Sequence, residues 1–93
     1  MSILIKLREN KDFTANEEDI AKYIIKNFRN IRELDTNIIA AKTYTSNASV
    51  TRMCKKIGFN GFQDFKMKMI EEVVSLENQE INFENSDIDK KDS

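Results

Sequence analysis

The chain has 93 residues, of which 40% are hydrophobic and 33% charged, and its formal net charge is −1. With no proline and two glycines, this composition favours a small all-α domain over a β-sandwich, which needs frequent turns. No apolar run approaches the roughly 18 residues of a membrane span, and the N-terminal apolar segment is too short for a signal peptide. Cys54 is the single cysteine, which excludes an internal disulfide. We therefore expect one cytoplasmic helical domain that does not enter a membrane.

Charge is distributed unevenly along the chain. Residues 1–41 carry seven basic and seven acidic side chains, and residues 42–68 carry six basic and one acidic. Residues 71–93 carry two basic and eight acidic side chains. The middle segment is therefore strongly positive although the whole chain is not, and this charge pattern indicates an anionic partner.

The first two helices are indicated by apolar spacing and by a capping motif. Residues 3–11 have apolar side chains at the spacing of a short helix. The sequence from Thr14 to Glu17 is typical of a capping box, in which each side chain accepts a hydrogen bond from the other residue's backbone amide. A second helix is predicted to begin there and to end within residues 27–30. Its buried face is predicted to comprise Ile20, Ala21, Ile24, Ile25 and Phe28.

The central segment predicts two helices joined by a short turn. Asp35 is a suitable N-cap for a helix that includes residues 38–42. Ser46 is a suitable N-cap for the next helix, which is predicted to end at Gly58, a residue that favours a left-handed cap. Two helices joined in this way form a helix-turn-helix unit. The apolar face of the second helix repeats at i, i+3, i+4 and i+7 and comprises Val50, Met53, Cys54 and Ile57.

The last predicted helix runs from about Gly61 to the mid-seventies. Residues 77–93 are polar and acidic, with too few apolar side chains to offset the entropy of ordering them, so we interpret them as a tail or linker. The fold class that we predict is a small, homeodomain-like five-helix bundle over residues 1–76. The apolar positions of its last helix and the turn before it are Phe59, Phe62, Phe65, Met69, Val73 and Leu76.

A helical wheel divides residues 47–57 into two faces. The apolar side chains lie on one face, and the opposite face is small, polar and basic. A helix presented in this way fits the ~12 Å major groove of B-DNA, with its N-terminal residues nearest the base edges. The predicted DNA-binding residues are Lys42, Ser46, Asn47, Ala48, Ser49, Thr51, Arg52, Lys55, Lys56 and Lys66.

Side-chain chemistry suggests a role for each predicted contact. Asn47 can pair with adenine, Arg52 can bind guanine or a phosphate, and Thr51 can contact a thymine methyl group. The small side chains at positions 48 and 49 permit close approach. The lysines and the helix start at Ser46 are suited to phosphates, and about four phosphate contacts predict a salt slope near −3 to −4.

Residues 13–72 resemble the N-terminal domain of the RpiR family of bacterial transcriptional regulators. The resemblance rests on TANEEDIAKYIIKN and on SNASVTRMCKKIGFNGFQDFK. It implies a DNA-binding domain that a linker joins to a sugar isomerase (SIS) domain, which senses a phosphorylated sugar and helps the protein dimerise. Residues 77–93 then resemble a severed linker to an absent SIS domain. The positions that carry the resemblance are Ser46, Ala48, Ser49, Val50, Arg52, Lys56, Gly58, Phe59, Gly61, Phe62, Phe65 and Lys66.

Three positions depart from the family pattern. Tyr44 stands where the family usually has a turn glycine, and Thr45 where it usually has an aliphatic residue. Because a tyrosine with positive φ costs about 1 kcal/mol or more, we expect a turn of different shape here. Met53 replaces a more usual aromatic residue, which is a tolerable exchange in a core.

Two other functional classes compete with DNA binding as interpretations of this sequence. The chain has no histidine and no cysteine pair, so we predict no catalytic residue, no metal and no cofactor. The stronger rival is a helical protein-interaction module, in which the last helix binds another chain and the basic face is only solvated. The same helix could form a homodimer, which would place two recognition helices about 34 Å apart on a palindromic operator.

Overall fold

The computed structural model describes the backbone of residues 2–92 and the side chains of residues 2–79. Within this range the chain forms five α-helices, one 3-10 segment and no strand, which confirms the predicted all-α class. No helix in this range combines the length and the apolar character needed to cross a membrane. The elements are α1 (Ile3–Glu9), α2 (Ala15–Asn27), the 3-10 segment (Phe28–Glu33), α3 (Thr36–Thr43), α4 (Asn47–Lys56) and α5 (Phe62–Asp92).

The predicted N-caps of three helices are confirmed. Thr14 and Glu17 form the capping box: the carboxylate accepts from the Thr14 amide at 2.9 Å and the hydroxyl accepts from the Glu17 amide at 3.2 Å. Asp35 accepts at 2.8 Å and Ser46 at 3.1 Å from the amide three residues further along. Each cap stabilises its helix by about 1 kcal/mol, because it satisfies an amide that has no partner within the helix.

All five helices contribute to one hydrophobic core. Phe65 is fully buried, and the ring of half-buried Phe59 packs against it edge-on with 5.6 Å between the ring centroids. The phenylalanines therefore pack in the core, as the helical spacing predicts. The buried apolar side chains are Ile3, Leu7, Phe13, Ile20, Ala21, Ile24, Ile31, Leu34, Ile39, Ala40, Val50, Met53, Cys54, Ile57, Phe62, Phe65, Met69 and Val73.

Glu72 of α5 caps the start of α1. Its carboxylate accepts from the Ser2 hydroxyl at 2.7 Å, from the Ile3 amide at 2.7 Å and from the Leu4 amide at 3.4 Å. These amides belong to the first turn of α1, where the backbone offers no acceptor and negative charge is favourable, and the Ser2 hydroxyl also accepts from the Leu4 amide at 3.2 Å. The cap joins the two helices that are furthest apart in the sequence.

Two boundaries differ from the sequence predictions. A 3-10 segment, Phe28–Glu33, follows α2 directly, and its Ile31 is fully buried, which explains why this stretch is ordered. The predicted end of the last helix in the mid-seventies is wrong, because α5 extends to Asp92. No glycine or proline follows Gly61, and extending an existing helix costs little. The interpretation of residues 77–93 as a linker stays a prediction, since side chains after residue 79 lie outside the described part.

The turns on either side of α4 both contain a left-handed residue. Gly58 has φ 100°, as its predicted role in capping α4 requires. Tyr44 has φ 58° and ψ 40°, so the expectation that tyrosine changes the shape of this turn is wrong. The Tyr44 side chain is 95% exposed and meets no obstacle, while the Thr45 amide bonds the Ala40 carbonyl at 2.9 Å. This bond closes the end of α3 and helps offset the strained backbone.

Candidate nucleic-acid interface

Helices α3 and α4 form the predicted helix-turn-helix unit, and α4 presents one side to solvent. The apolar side chains of α4 are buried, with Val50, Met53 and Cys54 all at 0% exposure. Burial raises the pKa of the Cys54 thiol to about 12, so the thiol stays protonated as a core group. The core fixes the rotation of α4, because turning the helix would expose these side chains.

The outer face of α4, defined here as Asn47, Ala48, Thr51 and Lys55, points away from the core. Thr51 is half-buried, whereas the other three residues are exposed. The Asn47 amide donates to the side-chain carbonyl of Asn37 on α3 at 2.6 Å. This bond joins the two helices at the point where α4 begins, and it places two amide groups side by side at the surface.

Arg52 lies between the outer face and the edge of α4 that faces α2. Its side chain is 63% exposed, and its Nε lies 3.8 Å from Oε2 of Glu17 on α2. Its Nη2 donates to the Ser49 hydroxyl at 3.2 Å, and that hydroxyl lies 3.0 Å from the hydroxyl of Ser46. Arg52 is therefore held along one side of its guanidinium while most of the side chain remains accessible.

The Ser49 side chain stabilises the first turn of α4 and contributes little to its exposed surface. Its side chain is only 4% exposed, and its hydroxyl is shared between the N-cap serine at position 46 and Arg52. A direct contact from Ser49 to DNA is thus disfavoured by burial, although its small size still allows the backbone to approach closely. Ser46 is itself exposed, at the start of α4.

Lys56 occupies a different environment from the one that the helical wheel indicates. Its ammonium donates to Oε1 of Glu17 at 2.6 Å and to the carbonyl of Asp12 at 2.8 Å. The Glu17 side chain is 1% exposed and the Lys56 side chain 33%, so this pair is an interhelical ion pair at the edge of the core. Its ammonium therefore has internal acceptors, which the sequence interpretation did not anticipate.

The two flanking lysines also differ from one another. Lys42 is exposed in the last turn of α3. The ammonium of Lys66 on α5 donates to the carbonyl of Leu34 at 2.8 Å, just before α3 begins. Lys66 therefore connects α5 to the helix-turn-helix unit, and Lys42 is the flanking lysine whose charge faces solvent.

Glu17 is the residue of this site that the sequence analysis did not assign to it. Burial alone would raise the pKa of Glu17, but the hydrogen bonds from Lys56 and Thr14 and the positive charge of Lys56 outweigh burial. The pKa of Glu17 is therefore lowered and its carboxylate is ionised at neutral pH. The capping box was a partial signal, because a capping glutamate has lone pairs left over for further donors.

Comparisons with known proteins agree with this geometry. Residues 1–75 match the family model described as "Helix-turn-helix domain, rpiR family". The chain is 42% identical over 78 residues to an uncharacterised HTH-type transcriptional regulator of Caldanaerobacter subterraneus subsp. tengcongensis, a match that covers 83% of this chain and 27% of that protein. A similar regulator of Clostridium perfringens is 40% identical over 83 residues, which cover 87% of this chain and 29% of that protein.

A solved structure shows the same fold. The structure of the Vibrio vulnificus NanR protein complexed with ManNAc-6P matches with a TM-score of 0.75 and 29% identity, over 80% of this chain and 28% of that chain. The chain therefore spans less than a third of the length of the proteins described above. With a family model that matches most of its length, the chain belongs to the rpiR family of helix-turn-helix domains.

Proposed function

We propose that this chain binds double-stranded DNA sequence-specifically, as the DNA-binding part of a bacterial transcriptional regulator, with α4 in the major groove. The two-sided character of α4 supports this most strongly. Its apolar side chains are fixed in the core, whereas Ala48, Lys55 and most of Arg52 face solvent. A rigid helix with a small, basic outer side is suited to the depth and the negative potential of the groove.

The exposed residues suggest how the contacts are divided. Arg52 and Asn47 carry the donors that read guanine and adenine, and Thr51 offers a methyl group to thymine. Lys42 and Lys55 bind phosphates, together with the free amides at the start of α4. The ammoniums of Lys56 and Lys66 already have internal acceptors. Only two to three cations are therefore left to neutralise DNA phosphates and to release their counterions. We therefore lower the expected salt slope to about −2 to −3.

The regulator is proposed to sense a phosphorylated sugar outside this chain. The NanR structure contains an amino-sugar phosphate, ManNAc-6P, and this chain covers only 28% of that protein. Residues 77–93 would then lead to an SIS domain that binds the effector, in a cytoplasmic regulator of sugar or amino-sugar phosphate metabolism. We assign no enzymatic step to this chain, because the proposed site binds and releases DNA unchanged.

The proposed operator is palindromic and is bound by a homodimer. The outer stripe of α5, defined as Met67, Ile70 and Val74, follows helical spacing along one edge of the helix, where Ile70 is half-buried against the core and the other two side chains are exposed. Met67 is 67% exposed and Val74 37%, so two large apolar side chains meet solvent on the same helix. A second copy that packs on this stripe would create a two-fold arrangement of recognition helices. The stripe is also what favours the rival function, a protein-interaction module.

A salt-dependent binding titration against genomic fragments from the source bacterium tests the main proposal. We expect saturable binding that prefers some fragments, with the slope given above. Binding that does not depend on salt, or no binding at any salt concentration, would leave the interaction module as the better function.

Sedimentation of wild type, Val74→Lys and Ser75→Lys on a binding fragment tests the dimer. The lysine at position 74 should reduce the complex from two copies to one, because it places a charge in the proposed interface. Ser75 is the exposed neighbour on α5, so Ser75→Lys is the matched control. Equal stoichiometry in all three proteins would exclude the outer stripe as the dimer interface.

A further inference from the structure

A buried carboxylate lies beneath the basic side of α4. Glu17 is on α2, not on the helix-turn-helix unit, and its side chain is 1% exposed. Its two oxygens point toward two basic residues of α4 that are one helical turn apart. Oε1 accepts from Lys56 at 2.6 Å and from the Thr14 amide at 2.9 Å, while Oε2 lies 3.8 Å from Nε of Arg52.

Lys56 neutralises Glu17, which changes what the carboxylate does to Arg52. The two opposite charges of Glu17 and Lys56 cancel, so the three side chains together carry one positive charge. That charge resides on Arg52, whose side chain is 63% exposed. A neutralised carboxylate can therefore orient the guanidinium without cancelling the field that attracts DNA.

One hydrogen bond and one longer ion pair orient Arg52 along one side of its guanidinium, and these two contacts are its anchors. Oε2 of Glu17 faces Nε at 3.8 Å, and the Ser49 hydroxyl accepts from Nη2 at 3.2 Å. Ser49 is in turn fixed by the N-cap hydroxyl of Ser46 at 3.0 Å. Arginine has five N–H donors, so the donors that these anchors leave unused remain free for a bidentate contact. An arginine held in this way loses less conformational entropy when it binds.

We propose that Glu17 is a positioning residue for DNA recognition, which sets the orientation of Arg52 and thereby contributes to sequence specificity. The inference rests on the proposed function, since it requires Arg52 to contact DNA. A purely structural role would need only the ion pair with Lys56. Two further observations indicate a role in positioning Arg52. Oε2 of Glu17 faces Arg52, and hydroxyl groups connect Arg52 through Ser49 to Ser46.

A double-mutant cycle with Glu17→Gln and Arg52→Ala tests the proposal. The probes are a fragment enriched from a random-sequence pool by the wild-type chain and a scrambled fragment of the same length. Positioning predicts that Glu17→Gln lowers the preference for the enriched fragment by on the order of tenfold, and that it has little further effect in Arg52→Ala. Loss of a negative charge alone predicts the opposite sign, which is tighter binding to both fragments.

The matched control is Glu18→Gln, which removes the same charge from the exposed neighbour on α2. It should leave the preference for the enriched fragment unchanged. If Glu17→Gln reduces affinity equally in both Arg52 backgrounds, its role is structural and the proposal is overturned. If the wild-type chain enriches no fragment, the proposed function fails, and the inference that rests on it fails too.

A measurement on the wild type keeps the test valid even where Glu17→Gln does not fold. The ¹⁵N relaxation of the Arg52 Nε–H in the DNA-free chain should show restricted motion. Arg8, an exposed arginine of α1, provides the reference. Motion of Arg52 as free as that of Arg8 would overturn the proposal.

Discussion

The two lysines at the end of α4 have identical chemistry and adjacent positions, but they lie in different environments. Lys55 is exposed on the outer face, whereas Lys56 donates to Glu17 and to the Asp12 carbonyl. One residue changes the direction of a helical side chain by about 100°, which is enough to move an ammonium from solvent to the edge of the neighbouring helix. Some lysines of a basic helix therefore face solvent, where they can bind DNA, whereas others form ion pairs within the fold. The amino-acid composition of the helix does not show which lysine does which.

The largest expected difference between these lysines is in stability. Lys56→Ala removes the closer of the two basic partners of buried Glu17 and leaves only Arg52 at 3.8 Å, so we expect the free energy of unfolding to fall by about 1–3 kcal/mol. This range is below that of a fully buried pair, because the Lys56 side chain is one-third exposed. Lys55→Ala is the matched control and should change stability by less than about 0.5 kcal/mol. Urea denaturation of both variants measures the free energy of unfolding. Equal decreases in the two variants would show that the ion pair between Lys56 and Glu17 does not stabilise the fold.

Arg52 lies between these two environments, and its substitution should act mainly on binding. Arg52→Ala should lower affinity for a specific operator by about 1–3 kcal/mol, because a bidentate contact is lost. The melting temperature should change little, since most of the side chain is exposed. Titration of operator and scrambled DNA shows whether Arg52 contacts a base or a phosphate. An equal loss on both would assign Arg52 to a phosphate rather than to a base.

The pH dependence of stability should reveal the Glu17 ion pair. Because the pKa of Glu17 is lowered in the folded state, the unfolded state binds more protons on the acid side. The contribution of Glu17 is therefore complete above its ordinary pKa near 4.5 and is lost as the pH falls through the lower folded value. Denaturation of wild type and Glu17→Gln across pH ~3 to ~6 should show a steeper loss in wild type. Parallel curves would contradict this.

The smallest expected effect is on the salt dependence of DNA binding. Lys55→Ala should reduce the salt slope by about one, because one phosphate contact is lost. Lys56→Ala, measured at a temperature where it is folded, should leave the slope nearly unchanged. A reduction of similar size in both variants would mean that Lys56 leaves Glu17 for a phosphate when DNA binds.

Local signals predicted most of the fold. Thr14, Asp35 and Ser46 cap helices through hydrogen bonds that span only three residues, so the sequence contains both partners close together. The apolar face of α4 was predictable for the same reason, because its periodicity is local. Gly58 was predictable as well, since few other residues adopt its φ readily.

The partners that the sequence did not predict are distant along the chain. Lys56 and Glu17 are separated by 39 residues, and Lys66 and the Leu34 carbonyl by 32. A helical wheel describes one helix in isolation and cannot indicate which exposed lysine meets a neighbouring helix. Tyr44 shows a second limit, because a small backbone strain is tolerated where the side chain meets nothing.

The contact between Glu72 and α1 also has a consequence for how firmly α1 is held in the domain. Ser2 caps the Leu4 amide locally, but the acceptor for the Ile3 amide and for the Ser2 hydroxyl lies 69 and 70 residues further along the chain. Closing a loop of that length costs more entropy than the local bond from Ser2, so the contact between α1 and α5 depends on the rest of the core being formed. Replacing Glu72 should therefore loosen the first turn of α1 in the folded domain while leaving the local cap at Ser2 in place.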